Sequence, residues 1–342
     1  MKLERLFPVF VFGLGLTLAL LGLLGTTSDV ADASPDVLYV APDCSGISNC
    51  YTSIQEAVRA AGTGDAIRVA QSTYYETVML TKSVTLEGGW NANFTTRDWD
   101  TYVTTIDAQR NGPVIRVYAG ISPTIEGFVI TGGDDSAGLG WGGGIRVGES
   151  FKHVGLTVIR HNVITDNIAC QTSLCQGEGG GIHVYNNTAI IEYNTIISNA
   201  ARTGGEGGGE GGGVKIGWMG EATLTGNTIV SNTAVYSTTG FWNGKGGGVY
   251  VYSYGGTLTD NEIRGNVAAV NGVGRGGGVY VGGALYDNRI LSNTASVNGD
   301  GYGGGVYAEY VINFDDNTVQ GNVASQNGDG TGGGVWARYL RR

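Results

Sequence analysis

Positive charge is scarce in this 342-residue sequence: 20 Lys and Arg stand against 30 Asp and Glu, a formal net charge of −10. Nucleic acid is excluded as a partner, because phosphate binding needs a basic surface. An acidic surface suits solubility and also suits calcium, and it does not choose between them. Histidine occurs three times, at 153, 161 and 183, too scattered in sequence to form a catalytic constellation. No Ser or Cys carries a local nucleophile signature. Proline occurs five times against 62 glycines. Such a glycine content often marks a flexible low-complexity chain. Here 41% of the residues are hydrophobic, with Val, Ile, Leu and Tyr recurring between the glycines. Residues 37–342 therefore have the material for a core, and disorder is excluded for them.

Cysteine is equally sparse. Cys44, Cys50, Cys170 and Cys175 allow three pairings. Local loops favour 44–50 and 170–175 in an oxidising compartment. A zinc site built from all four thiolates is disfavoured, since neither pair has C-x2-C spacing. The N-terminus fits the same compartment. Lys2 and Arg5 precede an uncharged, mostly apolar run from Leu6 to Leu24, and Ala31-Asp32-Ala33 precedes Ser34. These are the parts of a secretory signal peptide over residues 1–33. The run is nearly long enough to act as an uncleaved anchor, but Pro8, its glycines and the Ala-x-Ala site favour cleavage. The expected location is secreted, extracellular or cell surface, with membrane contact only through the cleavable signal.

What the sequence has in abundance is a repeat. Glycine triplets end at 144, 181, 213, 248, 278, 305 and 334, at intervals of 37, 32, 35, 30, 27 and 29 residues. After each of the first six comes apolar-x-x-Asn-x-apolar-x-x-Asn: IRHNVITDN from 159, IEYNTIISN from 191, LTGNTIVSN from 224, LTDNEIRGN from 258, LYDNRILSN from 285 and FDDNTVQGN from 314. A period of this length marks a solenoid or an array. The first and third positions after a triplet are apolar, as in Val249 and Val251, so the residue between them faces the opposite side of a strand. The Asn motif supplies two further short strands, with Asn suited to bends because it bonds nearby backbone and tolerates left-handed conformations. Glycine enters where a corner needs positive φ or close backbone approach. The expected fold is all-β: a right-handed parallel β-helix solenoid with three short strands per coil.

The alternation of Gly-Gly-small-apolar with apolar-x-x-Asn resembles the GGA[ILV] and FxxN repeats of chlamydial polymorphic outer-membrane proteins. More broadly it is similar to the right-handed parallel β-helix proteins of the pectin-lyase-like superfamily. The match covers residues 142–337, with Gly in place of Ala and mostly Ile or Leu in place of Phe; Phe314-Asp-Asp-Asn317 keeps the family form. The resemblance specifies fold more than activity. Polygalacturonases of the superfamily use Asn-Thr-Asp, Asp-Asp, Gly-His-Gly and Arg-Ile-Lys motifs, of which only the Asp pair occurs, at Asp134-Asp135 and Asp315-Asp316. Pectate lyases use a calcium-binding acidic cluster and an arginine base. By that analogy His161 beside Arg160, one coil from Glu192, is the place to probe for lyase chemistry. Upstream, Ser53-Ile-Gln-Glu56 reads as a capping box. Ile54, Ala57, Val58 and Ala61 form one helical face and Gly62 the stop, within a capping segment spanning about residues 37–65. Similar helices plug the coil end in β-helix proteins. With no linker visible, residues 34–342 read as one domain. The chain stops at Arg342 inside a coil, which suggests truncation and self-association through an open C-terminal edge.

Between the inward positions the triplet strands carry Arg146, His183, Lys215, Tyr250, Tyr280, Tyr307 and Trp336. The last four make an aromatic ladder, with Tyr252 one step further along its strand and Trp242 in a neighbouring loop. Sugar rings stack on flat aromatic faces, so these six are the candidate ligand-binding residues; the simpler reading is strand propensity and mutual stacking. Asp260, Asp287 and Asp316 form a second column, a candidate calcium site or carboxylate pair, and otherwise bend residues. Asn298-Gly-Asp300-Gly and Asn327-Gly-Asp329-Gly slightly resemble calcium loops but lack the terminal Glu of an EF-hand, which leaves turn chemistry. No catalytic residue and no cofactor is assigned beyond calcium as a candidate. The functional expectation is a non-catalytic surface for polysaccharide or cell-surface glycan. The alternatives are a polysaccharide lyase or glycoside hydrolase and a passive spacer.

Overall fold

A computed structural model describes residues 35–148, 155–236, 242–252, 255–309, 312–338 and 340–341. The expected export segment, residues 1–33, lies outside them. The chain is a parallel β-helix solenoid whose strands stack into five sheets, and every strand pairing is parallel. One coil shows the path. Thr188–Glu192 belongs to a first sheet of 12 strands, Thr195–Ile197 to a second of 9, Ala200–Arg202 to a third of 6, Gly209–Glu210 to a fourth of 5, and Val214–Ile216 to a fifth of 9. Sequence reasoning finds the first, second and fifth and misses the other two. Those strands are two or three residues of Ala, Gly and charged side chains, with no apolar alternation to show them.

Equivalent apolar positions of successive coils lie in register. Ile191 lies beside Leu224, Ile196 beside Ile229, and Val214 beside Val249. All six are fully buried in one continuous core. The first and third positions after each triplet face this core, as their alternation requires.

The bend asparagines differ from expectation in an instructive way. They do not take the left-handed conformation; the residue before each one does, as at His161, Tyr193, Asp260 and Asp287 with φ between 54° and 57°. The asparagines instead form two buried ladders, Asn162-194-227-261-288-317 and Asn167-199-232-266-293-322. Asn199 is typical. Its Nδ2 donates to Ile164 O one coil back (2.8 Å), to its own Ile197 O (3.1 Å) and to Asn232 Oδ1 one coil on (3.0 Å). Its backbone N–H donates to the same Oδ1 at 2.9 Å. Its own Oδ1 accepts from the backbone and side-chain amides of Asn167. The side chain's full hydrogen-bonding capacity is thus met by the coils on either side, the condition under which a buried amide stabilises.

Glycine is needed in the triplets for two reasons. The first member turns the chain in the left-handed region, with φ +60° at Gly246, which non-glycine residues seldom adopt. The second runs against neighbouring backbone: a Cβ on Gly247 would sit 2.4 Å from Gly277 O and from Val267 C.

At the N-terminal end, helix α1 (Ile54–Ala60) buries Ile54, Ala57 and Val58, with Ala61 beyond its end, in the same core and so closes it. Ser53 caps it, accepting from Glu56 N–H at 3.4 Å. Glu76 supplies the further acceptors at this end, taking Ser53 Oγ, Ile54 N and Gln55 N, each at 2.9 Å. Ala61, already extended at φ −59° and ψ 149°, ends the helix, so Gly62 is not a left-handed stop.

Replacing Asn232 by Ala strands a carbonyl, an amide and a neighbouring side chain inside the ladder. Denaturant unfolding is expected to show a loss of about 3 kcal/mol, against under about 0.5 kcal/mol for the exposed Asp260→Asn.

Candidate functional site

The left-handed first glycine of each triplet folds the fourth sheet back over the outer face of the fifth. The residue just before a triplet therefore meets the residue five positions later. Trp141 sits under Arg146, whose guanidinium is 5.1 Å from the ring centroid. Glu178 Oε2 is 3.6 Å from His183 Nε2. Glu210 Oε2 accepts from Lys215 Nζ at 2.7 Å. Lys245 Nζ is 5.7 Å from the Tyr250 ring. Along the axis Trp141, Glu178, Glu210 and Lys245 are paired coil to coil.

This fold-back changes the setting of the expected aromatic ladder. The register is as read from the sequence: Arg146, His183, Lys215, Tyr250, Tyr280, Tyr307 and Trp336 are successive partners, all facing away from the core. They are not an open face, however. Tyr250 is 4% exposed and Tyr280 6%, and Arg146, His183 and Lys215 are buried. The rings also stack on one another, at 4.9 Å for Tyr250–Tyr280 and Tyr280–Tyr307 and 4.3 Å for Tyr307–Trp336. Their flat faces serve each other. Tyr280 further donates its hydroxyl to Glu309.

A groove of about 420 Å3 opens between the two layers. Its aromatic side chains are Trp141, Tyr185, Trp218 and Tyr252 beside the edge of Tyr250. Trp141 and Tyr185 lie 4.9 Å apart and Trp218 and Tyr252 5.5 Å apart, both pairs tilted. Trp218 and Tyr252 are 54% and 39% exposed, where Tyr250 and Tyr280 of the ladder are buried. Of the six ligand-binding candidates read from sequence, Tyr250 and Tyr252 reach this groove. Tyr280, Tyr307 and Trp336 continue the ladder beyond it, and Trp242 is half-buried in the loop between the third and fourth sheets. Trp141, Glu178, Glu210 and Lys245 escaped the sequence reading, although a signal was present: each immediately precedes a glycine triplet.

The floor holds a chain of ion pairs. Lys215 Nζ bridges Glu178 Oε1 and Glu210 Oε2 at 2.7 Å each, and Lys245 Nζ reaches Glu210 Oε1 at 2.9 Å. Burial alone would raise the Glu210 carboxyl, but Lys215 and Lys245 outweigh it and hold the group below its ordinary value. Burial, then the cations of Lys215 and Arg146, depress His183 well below 6.5. Its imidazole is neutral, fully buried, and without a hydrogen bond at either nitrogen. Tyr250 is pushed above its ordinary range by burial and then by Glu210. At the groove's end Asp135 accepts from Trp141 N–H at 2.8 Å and lies 3.8 Å from Arg146; burial dominates and raises it.

The remaining candidates lie elsewhere. Asp260, Asp287 and Asp316 form an exposed column in left-handed conformation at the first bend. Among the described residues no group of three or more His, Cys, Asp or Glu is placed to hold a metal ion. The Asn-Gly-Asp-Gly loops stack through Asn271, Asn298 and Asn327, joined by side-chain amide bonds of 2.9 Å. His161 is sandwiched between Trp99 (4.7 Å) and Tyr193 (5.6 Å). Arg160 is ion-paired to Glu126, with Glu192 at 3.9 Å. Cys44–Cys50 and Cys170–Cys175 are disulfides, which fits a non-reducing compartment. No helix among the described residues is long and apolar enough to cross a membrane. The chain matches no protein-family model and no curated protein.

The depressed His183 gives a pH dependence of definite sign. Below 6.5 the unfolded chain takes up a proton that the folded chain does not, so stability falls as pH drops through that value. The slope approaches about 1.4 kcal/mol per pH unit. Glu210 adds a loss only below its ordinary 4.5. Unfolding titrations of His183→Gln are expected to flatten the near-neutral limb and leave the acid limb in place.

Proposed function

We propose that this is a secreted or cell-surface β-helix repeat protein whose groove between the fourth and fifth sheets binds a polysaccharide chain without cleaving it. One observation carries the reading: the exposed rings of Trp218 and Tyr252 line a groove with Trp141 and Tyr185, the kind of aromatic surface on which pyranose rings pack. The N-terminal basic-apolar-small pattern and the two disulfides support export. The triplet and asparagine alternation supports a place among the pectin-lyase-like repeat proteins, near the chlamydial polymorphic outer-membrane repeats. The non-catalytic reading is supported by the state of the acids. Glu178 and Glu210 both hold Lys215, and a carboxyl kept low by two ammonium groups is a poor proton donor. At the place to probe by analogy with pectate lyases, Arg160 beside His161 is engaged by Glu126.

The mature protein is expected to retain a subset of immobilised glycans, with Trp218→Ala and Tyr252→Ala each weakening binding about tenfold and unfolding normally. Unchanged affinity of both variants for every glycan bound by the parent removes the reading. Polyuronates incubated with and without calcium are expected to give no unsaturated product; its appearance establishes the lyase alternative instead.

A further inference from the structure

We infer that the groove selects an extended, uncharged glycan and discriminates against polyuronates. The inference rests on the groove being a glycan site, and it concerns the charge and length of the chain it takes. The charged side chains lining the groove are Glu178, Glu210, Lys215 and Lys245, two acids and two bases that sum to zero. They are already joined in sequence, Glu178 to Lys215 to Glu210 to Lys245, by contacts of 2.7–2.9 Å. Both ammonium groups also lie near the Tyr250 ring, at 5.3 and 5.7 Å. An incoming carboxylate meets ammonium groups whose charge Glu178 and Glu210 already neutralise, and any N–H it reaches lies beside those two carboxylates. That is unfavourable in a partly buried site. Hydroxyl groups face no such obstacle, because the carboxylate oxygens retain lone pairs that accept from them.

Length follows from the coil spacing. Trp141, Glu178, Glu210 and Lys245 stand on four successive coils, each step being about 4.8 Å. A pyranose in an extended chain advances by a comparable distance. The groove therefore accommodates about three or four sugars in line, with Trp218 and Tyr252 toward the Lys245 end.

Calorimetry of the intact mature chain with uncharged β-1,4 oligosaccharides and with oligogalacturonates of matching length tests this directly. Expected are binding of the uncharged series that strengthens up to about four units and then levels, little dependence on salt, and oligogalacturonates at least about tenfold weaker. Glu210→Gln frees both lysines from one carboxylate and is expected to raise oligogalacturonate affinity roughly tenfold relative to the uncharged series. Oligogalacturonates that bind the parent protein as tightly as the uncharged series, with that binding lost in Trp218→Ala, overturn the charge selectivity and keep the glycan site. No binding of either series in the parent protein overturns both. Because the parent comparison alone decides, a folding defect in Glu210→Gln leaves the test intact.

Discussion

Every feature of this molecule depends on each coil lying in one register on the next, and the buried asparagine amides impose that register. Apolar side chains attract without direction, so a stack of Ile and Val alone resists a one-residue slip, which flips its face, but discriminates poorly between registers that keep the face inward. An amide inside a core discriminates between them. Asn199 has its hydrogen bonds satisfied only when Asn167 and Asn232 lie directly beneath and above it. A slip of one residue leaves donors and acceptors unmet and turns the core face outward. Two such ladders on either side of the second sheet hold the coil at both corners, and stacked amides of this kind are a known source of stability in parallel strand assemblies.

The glycine triplets decide what the solenoid displays. A simple corner would leave the fifth sheet's outer residues in water. The left-handed turn at the first glycine, followed by a strand that runs against the next coil's backbone, lays the preceding residue over the residue five positions on. Arg146 and His183 are thereby buried, and Lys215 and Tyr250 line a groove together with Trp141, Glu178, Glu210 and Lys245, the residues before the triplets. Burial then fixes the electrostatics: charges that would be screened at a surface are held in pairs, and the one imidazole among them is kept neutral by its surroundings.

The candidate site was only partly legible. The column from Arg146 to Trp336 could be written down in correct order, because a period of two within each strand and a constant offset from the triplet determine it. Its burial could not, since that depends on the fourth sheet, whose Gly209–Glu210 and Gly244–Lys245 segments carry no strand pattern. For the same reason the tyrosine ladder read both as a binding face and as a stack of rings serving one another. Stacking in register consumes the faces of Tyr250, Tyr280 and Tyr307, and the exposed rings are those of Trp218 and Tyr252 at the strand ends.

The sequence alone determined the solenoid and its core positions, because repetition converts a local pattern into a stack without further information; it also marked the end-closing helix and favoured the two cysteine pairings that form. Tertiary structure decided the left-handed residue at each bend, the groove, and the partners of every charged group in it. Those depend on a backbone reversal at a glycine and on contacts between coils roughly thirty residues apart, and neither the direction of a turn nor the depth of a side chain is encoded in the spacing of residue types.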